Sequence, residues 1–221
     1  MFLPLIHALL TTSPMQCPMS PLVSLQQELL EQFFHNVLRG QVKILSHGEP
    51  IEKICEWRKD VFSVECTHGL IRELTIRKGP YCPYAIEYLP NTIRHLEITF
   101  VQLSCPVNTR QLPLHSVSVI LCYNHIRGEI SLCTLPPHLE AFDISHNKVS
   151  GTIKLINLPM SLKYLRINAN RLKQETVYYS DLPLGIRVDL GQNKIGEVRA
   201  VCRAQKAPRH TFEGIPRKSI H

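Results

Sequence analysis

Two ladders of residues that share one period constrain this chain more than any other feature. Four asparagines follow one another at intervals of 23 residues: Asn124, Asn147, Asn170 and Asn193. Five Leu-Pro pairs keep the same interval, with a single step of 24: Leu89-Pro90, Leu112-Pro113, Leu135-Pro136, Leu158-Pro159 and Leu182-Pro183. A fixed period of this length predicts a repeat architecture in which similar coils stack side by side.

The residues around each asparagine repeat as well. Two clean copies read Leu139-x-x-Phe142-x-Ile144-x-x-Asn147-x-Val149 and Leu162-x-x-Leu165-x-Ile167-x-x-Asn170-x-Leu172. Apolar and outward residues alternate before the asparagine, which is the pattern of a half-buried strand. A coil this small cannot bury its apolar side alone, so neighbouring coils must share one core. We expect each buried asparagine amide to bond unpaired backbone groups of its own and the adjacent coil.

These motifs resemble the leucine-rich-repeat family, whose repeat is L-x-x-L-x-L-x-x-N-x-L. The resemblance covers residues 70–198, about six coils, and implies an α/β solenoid. Such a solenoid has a curved parallel β-sheet on its concave side and an extended or short-helical convex side. Steps such as Gly128-Glu129-Ile130 and Gly151-Thr152-Ile153 are similar to the plant-type subclass. The fifth coil has Lys173-Gln174-Glu175-Thr176 instead, which leaves its short second strand open.

An amphipathic segment precedes the repeats. Its apolar residues stand at helical spacing: Leu22, Leu25, Leu29, Phe33 and Val37, with Leu30, Phe34 and Leu38 beside them. Ser20 as N-cap, Pro21 at the first helical position and Gly40 as the stop predict a helix here. We expect its apolar stripe to pack on the core, although such a stripe could also bind a partner.

The segment after this helix resembles the N-terminal cap of extracellular leucine-rich-repeat proteins. The residues that carry the likeness are Cys55-Glu56-Trp57, Val61-Phe62-Ser63-Val64-Glu65-Cys66 and Gly69. The resemblance implies a Cys55–Cys66 disulfide, a structural role for Trp57 and a helical cap over residues 20–69. A cap would cover the apolar cross-section and open strand edge of the first coil.

The remaining cysteines leave alternatives open. Cys82 and Cys105 are 23 residues apart, which places them in the same slot of neighbouring coils and within reach of a disulfide. Two buried free thiols are the default expectation for this pair. Cys17, Cys133 and Cys202 have no obvious mates, which mildly favours a reducing compartment.

The formal charge of +7 is unevenly distributed along the chain. Residues 199–221 hold six basic residues and one acid, so this segment carries a surplus of five. It follows the last coil without a clear cap motif, and we predict a basic, solvated C-terminal tail. Through this tail alone the chain could contact RNA as a structural component of a ribonucleoprotein assembly, although Phe212 is the only Phe, Tyr or Trp residue among its charges.

Targeting signals are weak. No run of 18 apolar residues occurs, so no transmembrane segment is predicted. Residues 1–19 are predicted to be a leader or a disordered segment, and the apolar stretch 1–10 resembles a weak signal peptide without a basic start or a small-residue cleavage site. With no Asn-x-Ser/Thr sequon present, an intracellular location is slightly favoured over a secreted or cell-surface one, and the compartment stays open.

Catalytic chemistry has little support in the sequence. Asp143, Ser145 and His146 suggest a hydrolase, yet they occupy repeat slots of one strand and turn, without a nucleophile elbow. Walker, Rossmann and H-E-x-x-H patterns are absent from the sequence, and so is a C-x-x-C pair. We therefore expect no enzymatic activity, no cofactor and no metal site.

The outward slots of the predicted sheet carry the candidate binding residues. Stacked coils would bring an apolar and aromatic cluster together with flanking charges: Phe100, Ile120, Tyr123, Asp143, His146 and Arg166. Clustered exposed aromatic residues favour protein recognition. Phe100 and Tyr123 could instead shield the strand ends from water. The sequence thus predicts a monomeric interaction module that binds a protein partner on its concave face, and it does not identify that partner.

Overall fold

The computed structural model describes residues 20–46, 48–57, 61–79, 83–202 and 207–221. The described chain opens with two helices, α1 (Pro21–Phe33) and α2 (Arg39–Ser46), and a 3-10 helix at Ile51–Glu56. A solenoid of parallel strands with about six turns follows. The repeat architecture predicted from the two ladders is therefore present.

Twelve strands lie within the described residues. They are β1 (Phe62–Thr67), β2 (Leu70–Arg77), β3 (His95–Thr99), β4 (Ser118–Ile120), β5 (Arg127–Gly128), β6 (Ala141–Asp143), β7 (Lys148–Gly151), β8 (Tyr164–Arg166), β9 (Arg171–Tyr179), β10 (Arg187–Asp189), β11 (Lys194–Ala200) and β12 (Phe212–Glu213). The main sheet has the order β1-β2-β3-β4-β6-β8-β10-β12, and the second sheet the order β11-β9-β7-β5. Only the pair β1–β2 is antiparallel among these strands.

The main sheet keeps one register from coil to coil. The central residue of each strand lies opposite its counterpart and is buried, as in the column Leu74, Leu96, Val119, Phe142, Leu165 and Val188. Each Leu-Pro pair begins the turn that leads into a main strand, because the proline carbonyl accepts a bond from the backbone N–H three residues later. The period of 23 thus sets both the core column and the start of each strand.

The second sheet contains the strand that the sequence left open. In the fifth coil β9 is nine residues long, the longest strand of this sheet, although the Gly-x-Ile step is missing there. Gln174 supplies the missing contacts. Its Oε1 accepts from the Ile153 N–H at 2.6 Å, and its Nε2 donates to the carbonyls of Ile153 and Thr176 at 3.1 and 2.9 Å.

The N-terminal helix differs from its prediction. α1 ends at Phe33, and Gly40 lies inside α2 instead of stopping the first helix. The buried face holds Gln26 with Leu30 and Phe33, whereas Leu22 and Leu25 are exposed. The stripe is rotated because the Gln26 amide meets the backbone at the start of β2: its Nε2 donates to the Gly69 carbonyl at 3.1 Å, and its Oε1 accepts from the Ile71 N–H at 2.7 Å.

The disulfide implied by the family resemblance is present between Cys55 and Cys66. Trp57 is buried beside it, with its ring centroid 6.0 Å from that of Phe34 and 5.6 Å from that of Phe62. Cys82 lies outside the described residues, so neither the free thiols expected for Cys82 and Cys105 nor the alternative disulfide can be compared with the structure, and residues 1–19 lie outside them as well.

The C-terminal region differs from the predicted tail. β12 adds to the main sheet beside β10, and the buried Phe212 packs on Tyr179 with ring centroids 5.2 Å apart. The His221 N–H donates to the Val198 carbonyl at 2.9 Å, and the His221 carbonyl accepts from the Ala200 N–H at 2.8 Å. Residues 207–221 therefore pack against the last full coil. No helix in the described part of the chain is both long and apolar enough to span a membrane.

Candidate protein-binding surface

The asparagine ladder fixes the turn at which each main strand ends. The side chain of Asn147 donates to two carbonyls of its own coil and to the Leu121 carbonyl of the preceding coil, all at 3.0–3.1 Å. Its Oδ1 accepts from the Ile126 N–H at 2.9 Å. Asn124, Asn170 and Asn193 make the corresponding bonds. The ladder thereby ties neighbouring coils to one another, as the sequence predicts.

The residue before each asparagine adopts a left-handed backbone conformation. Together with their counterparts in the first two coils these residues form one column, which we name the rim column: Lys78, Phe100, Tyr123, His146, Ala169 and Gln192, with φ between 50 and 56°. Within the column, Phe100, Tyr123 and His146 donate their N–H groups to carbonyls of the following coil at 3.0–3.1 Å. These bonds offset the cost of the left-handed conformation, which is about 1–2 kcal/mol per non-glycine residue.

Three rings of the rim column stack directly on one another. The centroids of Phe100 and Tyr123 are 4.6 Å apart with an interplanar angle of 10°. Those of Tyr123 and His146 are 4.2 Å apart with an angle of 8°. The separation follows from the distance of about 4.8 Å between neighbouring strands. Phe100 and Tyr123 nevertheless remain 48% and 45% exposed, so the stack is an aromatic surface open to solvent.

The other three candidate residues are neighbours across the main sheet. Ile120 lies opposite Asp143, which lies opposite Arg166. The Asp143 carboxylate is held by Ser145 of its own coil, because its Oδ1 accepts from the backbone N–H and the hydroxyl of Ser145 at 2.9 and 2.6 Å. Its Oδ2 is 3.7 Å from a guanidinium nitrogen of the exposed Arg166. Ion pairs with this much exposure contribute little to stability, so Arg166 stays available to a partner.

A shallow pocket of about 170 Å³ opens between these three residues. Ala141, Phe142 and Tyr164 complete its lining. Tyr164 is 46% exposed and was not among the residues predicted from the sequence. Ser118 and Ala141 occupy the same repeat position in the two preceding coils. A comparison of this position from coil to coil shows the change from small residues to an aromatic one at Tyr164. All six predicted residues therefore lie on one side of four consecutive coils and on the rim of those coils.

The three side chains that suggested a hydrolase already have partners in the structure. The Ser145 hydroxyl donates to Asp143, while the His146 ring is stacked on Tyr123. Burial, followed by the nearby Asp143 carboxylate, raises the pKa of the Cys122 thiol to about 11, which keeps this thiol protonated at neutral pH. The described residues contain no cluster of three His, Cys, Asp or Glu side chains that could hold a metal ion.

Neither protein-family models nor curated proteins match this chain.

Proposed function

We propose that the chain is a non-enzymatic protein-interaction module, a plant-type leucine-rich-repeat solenoid that binds a protein partner on the concave face of its main sheet. The observation that carries the proposal is the solvent-exposed stack of Phe100, Tyr123 and His146 beside an apolar pocket. The contact area is centred on the six residues named above.

The leucine-rich-repeat assignment is supported by the asparagine ladder. Each asparagine donates to carbonyls of two coils and accepts from a backbone N–H, as the family motif requires of a buried residue at that slot. The cap assignment is supported by the Cys55–Cys66 disulfide and by the burial of Trp57 next to Phe34, the residue that follows α1.

The binding proposal is supported by the physical properties of the ring stack. Neighbouring rings restrict one another, so a partner that covers them loses little side-chain entropy on this side of the interface. Aromatic side chains next to a small pocket are typical of the few residues that dominate binding energy. The exposed guanidinium of Arg166 offers a polar contact at the border of the same area.

Contact with RNA through the basic tail is the less favoured alternative. Residues 207–221 carry part of the predicted tail, and their backbone pairs with β10 and β11. Their basic side chains are therefore attached to a folded end, not to a free arm that can wrap a nucleic acid.

The proposal is tested by quantitative capture with the full chain as bait. We expect partners retained by the wild type to be lost by the double variant Phe100→Ala/Tyr123→Ala, because both rings are solvent-exposed anchors. The variant Lys43→Glu/Arg110→Glu serves as a control for surface changes, since both cations lie outside the main sheet and are exposed. The proposal is wrong if capture by the double-alanine variant equals that of the wild type while both fold alike by circular dichroism.

A further inference from the structure

The residues that follow the asparagine ladder form a second surface, which we name the basic stripe. It consists of five cationic side chains on the outward face of the second sheet: Arg127, Lys148, Arg171, Lys173 and Lys194. Lys148 is half-buried and the other four are exposed, while Val149 and Leu172 between them point into the core. Because side chains alternate between the two faces of each strand, the cations all lie on the outward face of the second sheet.

Strand pairing places four of these cations in two opposite pairs, whereas the fifth, Arg171, lies opposite Ser150. Arg127 lies opposite Lys148 in the pair β5–β7, and Lys173 lies opposite Lys194 in the pair β9–β11. Like charges placed directly opposite one another on a sheet destabilise it. None of the five forms an ion pair with an acid in the described part of the chain. The fold therefore maintains a stripe of cations that form no direct ion pairs in the described part of the chain.

Three acidic residues lie close to this stripe, and the side chain of Glu129 reaches over Gly151 of β7. Glu129 and Glu175 come two residues after Arg127 and Lys173, farther from the asparagine turn. Glu197 is occupied, because it accepts from the Thr176 hydroxyl at 2.9 Å and pairs with Arg199 at 2.7 Å.

The rim column and the basic stripe lie on either side of the asparagines. His146 and Lys148 are separated by Asn147 alone, and Ala169 and Arg171 by Asn170. The Cα atoms of His146 and Lys148 are therefore at most about 7 Å apart, so one ligand can contact both the ring stack and the start of the stripe. Four neighbouring strands span about 15 Å, which is the length of roughly five residues of an extended peptide.

We propose that the basic stripe binds an acidic, extended segment of the protein partner whose apolar side chains cover the ring stack. The inference rests on the proposed function and adds the chemistry of the partner: several carboxylates within about five residues, next to a bulky apolar residue. Charge complementarity of this kind accelerates association and selects the partner, and its effect decreases with salt.

A single-stranded nucleic acid fits this arrangement less well. Its bases would have to stack on exposed ring faces. Four of the six ring faces of Phe100, Tyr123 and His146 are already turned toward one another, with centroids 4.6 and 4.2 Å apart, so only the two outer faces of the stack remain for a base. A peptide needs only the exposed ring edges.

The test measures the fluorescence anisotropy of labelled hexa-aspartate with the full chain at about 20 mM and about 300 mM NaCl. We expect binding at low salt, loss of that binding at high salt, and no binding of labelled hexa-asparagine. The double variant Lys173→Glu/Lys194→Glu should bind hexa-aspartate at least about tenfold more weakly. The matched control Lys43→Glu/Arg110→Glu makes the same change of charge elsewhere and should leave affinity within about twofold.

Three results would overturn the inference. In the first, the control variant loses as much affinity as the stripe variant, which indicates a general charge effect. In the second, hexa-asparagine binds as well as hexa-aspartate. In the third, a labelled oligo-dT binds more tightly than hexa-aspartate and loses this affinity in the stripe variant, which assigns the stripe to nucleic acid. Phe100→Ala/Tyr123→Ala should retain hexa-aspartate binding, so failure of the ring-stack proposal is recognised separately.

Discussion

Replacing Asn147 with alanine tests whether the asparagine ladder stabilises the solenoid. The side chain is 8% exposed and makes four hydrogen bonds. Each of the three carbonyls to which it donates also accepts from a second donor. These donors are the Asn124 amide for Leu121, the Asn170 amide for Ile144 and the Tyr123 N–H for Ser145. Only the Ile126 N–H loses its partner altogether.

The expected loss follows from this difference. An orphaned buried N–H costs about 1–3 kcal/mol, and the lost donor bonds, whose acceptors remain satisfied, contribute about 1 kcal/mol together. We therefore expect Asn147→Ala to lower the free energy of unfolding by about 2–4 kcal/mol. Asn147→Asp should cost at least as much, because a carboxylate oxygen would then face three carbonyls in place of the amide N–H group.

The assay is urea unfolding of the full chain followed by circular dichroism. Asn108→Ala is the matched control, since that side chain is exposed and makes one bond, to the Arg110 N–H. Asn124→Ala should cost more than Asn147→Ala, because Asn124 Oδ1 accepts from two N–H groups, those of Val101 and Leu103. If Asn147→Ala loses less than 1 kcal/mol, or no more than the control, the ladder does not have the stabilising role assigned to it.

Three further changes give measurable outcomes. Ala169→Tyr should extend the stack beyond His146 and raise the free energy of unfolding by about 0.5–1.5 kcal/mol, whereas Ala169→Lys should not; equal values would contradict the stacking argument. Phe212→Ala should cost about 3–5 kcal/mol and speed amide exchange in β10, and unchanged exchange would show that β12 does not cover that strand. Iodoacetamide should modify Cys122 slowly at pH 8 and faster toward pH 11, because the thiol deprotonates only near its raised pKa of about 11; a pH-independent rate above pH 8 would contradict this.

The periodic part of the fold could be predicted from the sequence because each slot repeats the same physical task. The asparagines bond two coils, the Leu-Pro pairs begin the turns, and the alternating apolar residues fill one core. The same period also placed Phe100, Tyr123 and His146 in one column, since residues 23 apart lie a strand's width from one another. Whether that column binds a partner stays a prediction.

The structure differs from the sequence predictions where a single side chain outside the repeat pattern determines the local structure. Gln26 is buried because its amide pairs with backbone of β2, and a hydrophobic pattern cannot indicate this for a polar residue. Gln174 likewise restores β9 through its amide where the glycine step is missing. At the C-terminal side, Phe212 lies 24 residues after its neighbour Val188 and within a basic segment, so neither period nor composition indicated the strand.

Both proposed surfaces have the same structural origin, the turn held by the asparagines. The buried amide fixes the backbone on either side of it, so the residue before each asparagine extends the rim column and the residue after it begins the basic stripe or lies beside it. Substitutions at these flanking slots can therefore change recognition while the core columns stay intact. An acidic partner segment that crossed this turn would contact both surfaces at once, and its affinity should respond independently to Phe100→Ala/Tyr123→Ala and to Lys173→Glu/Lys194→Glu, because the two variants alter different contacts.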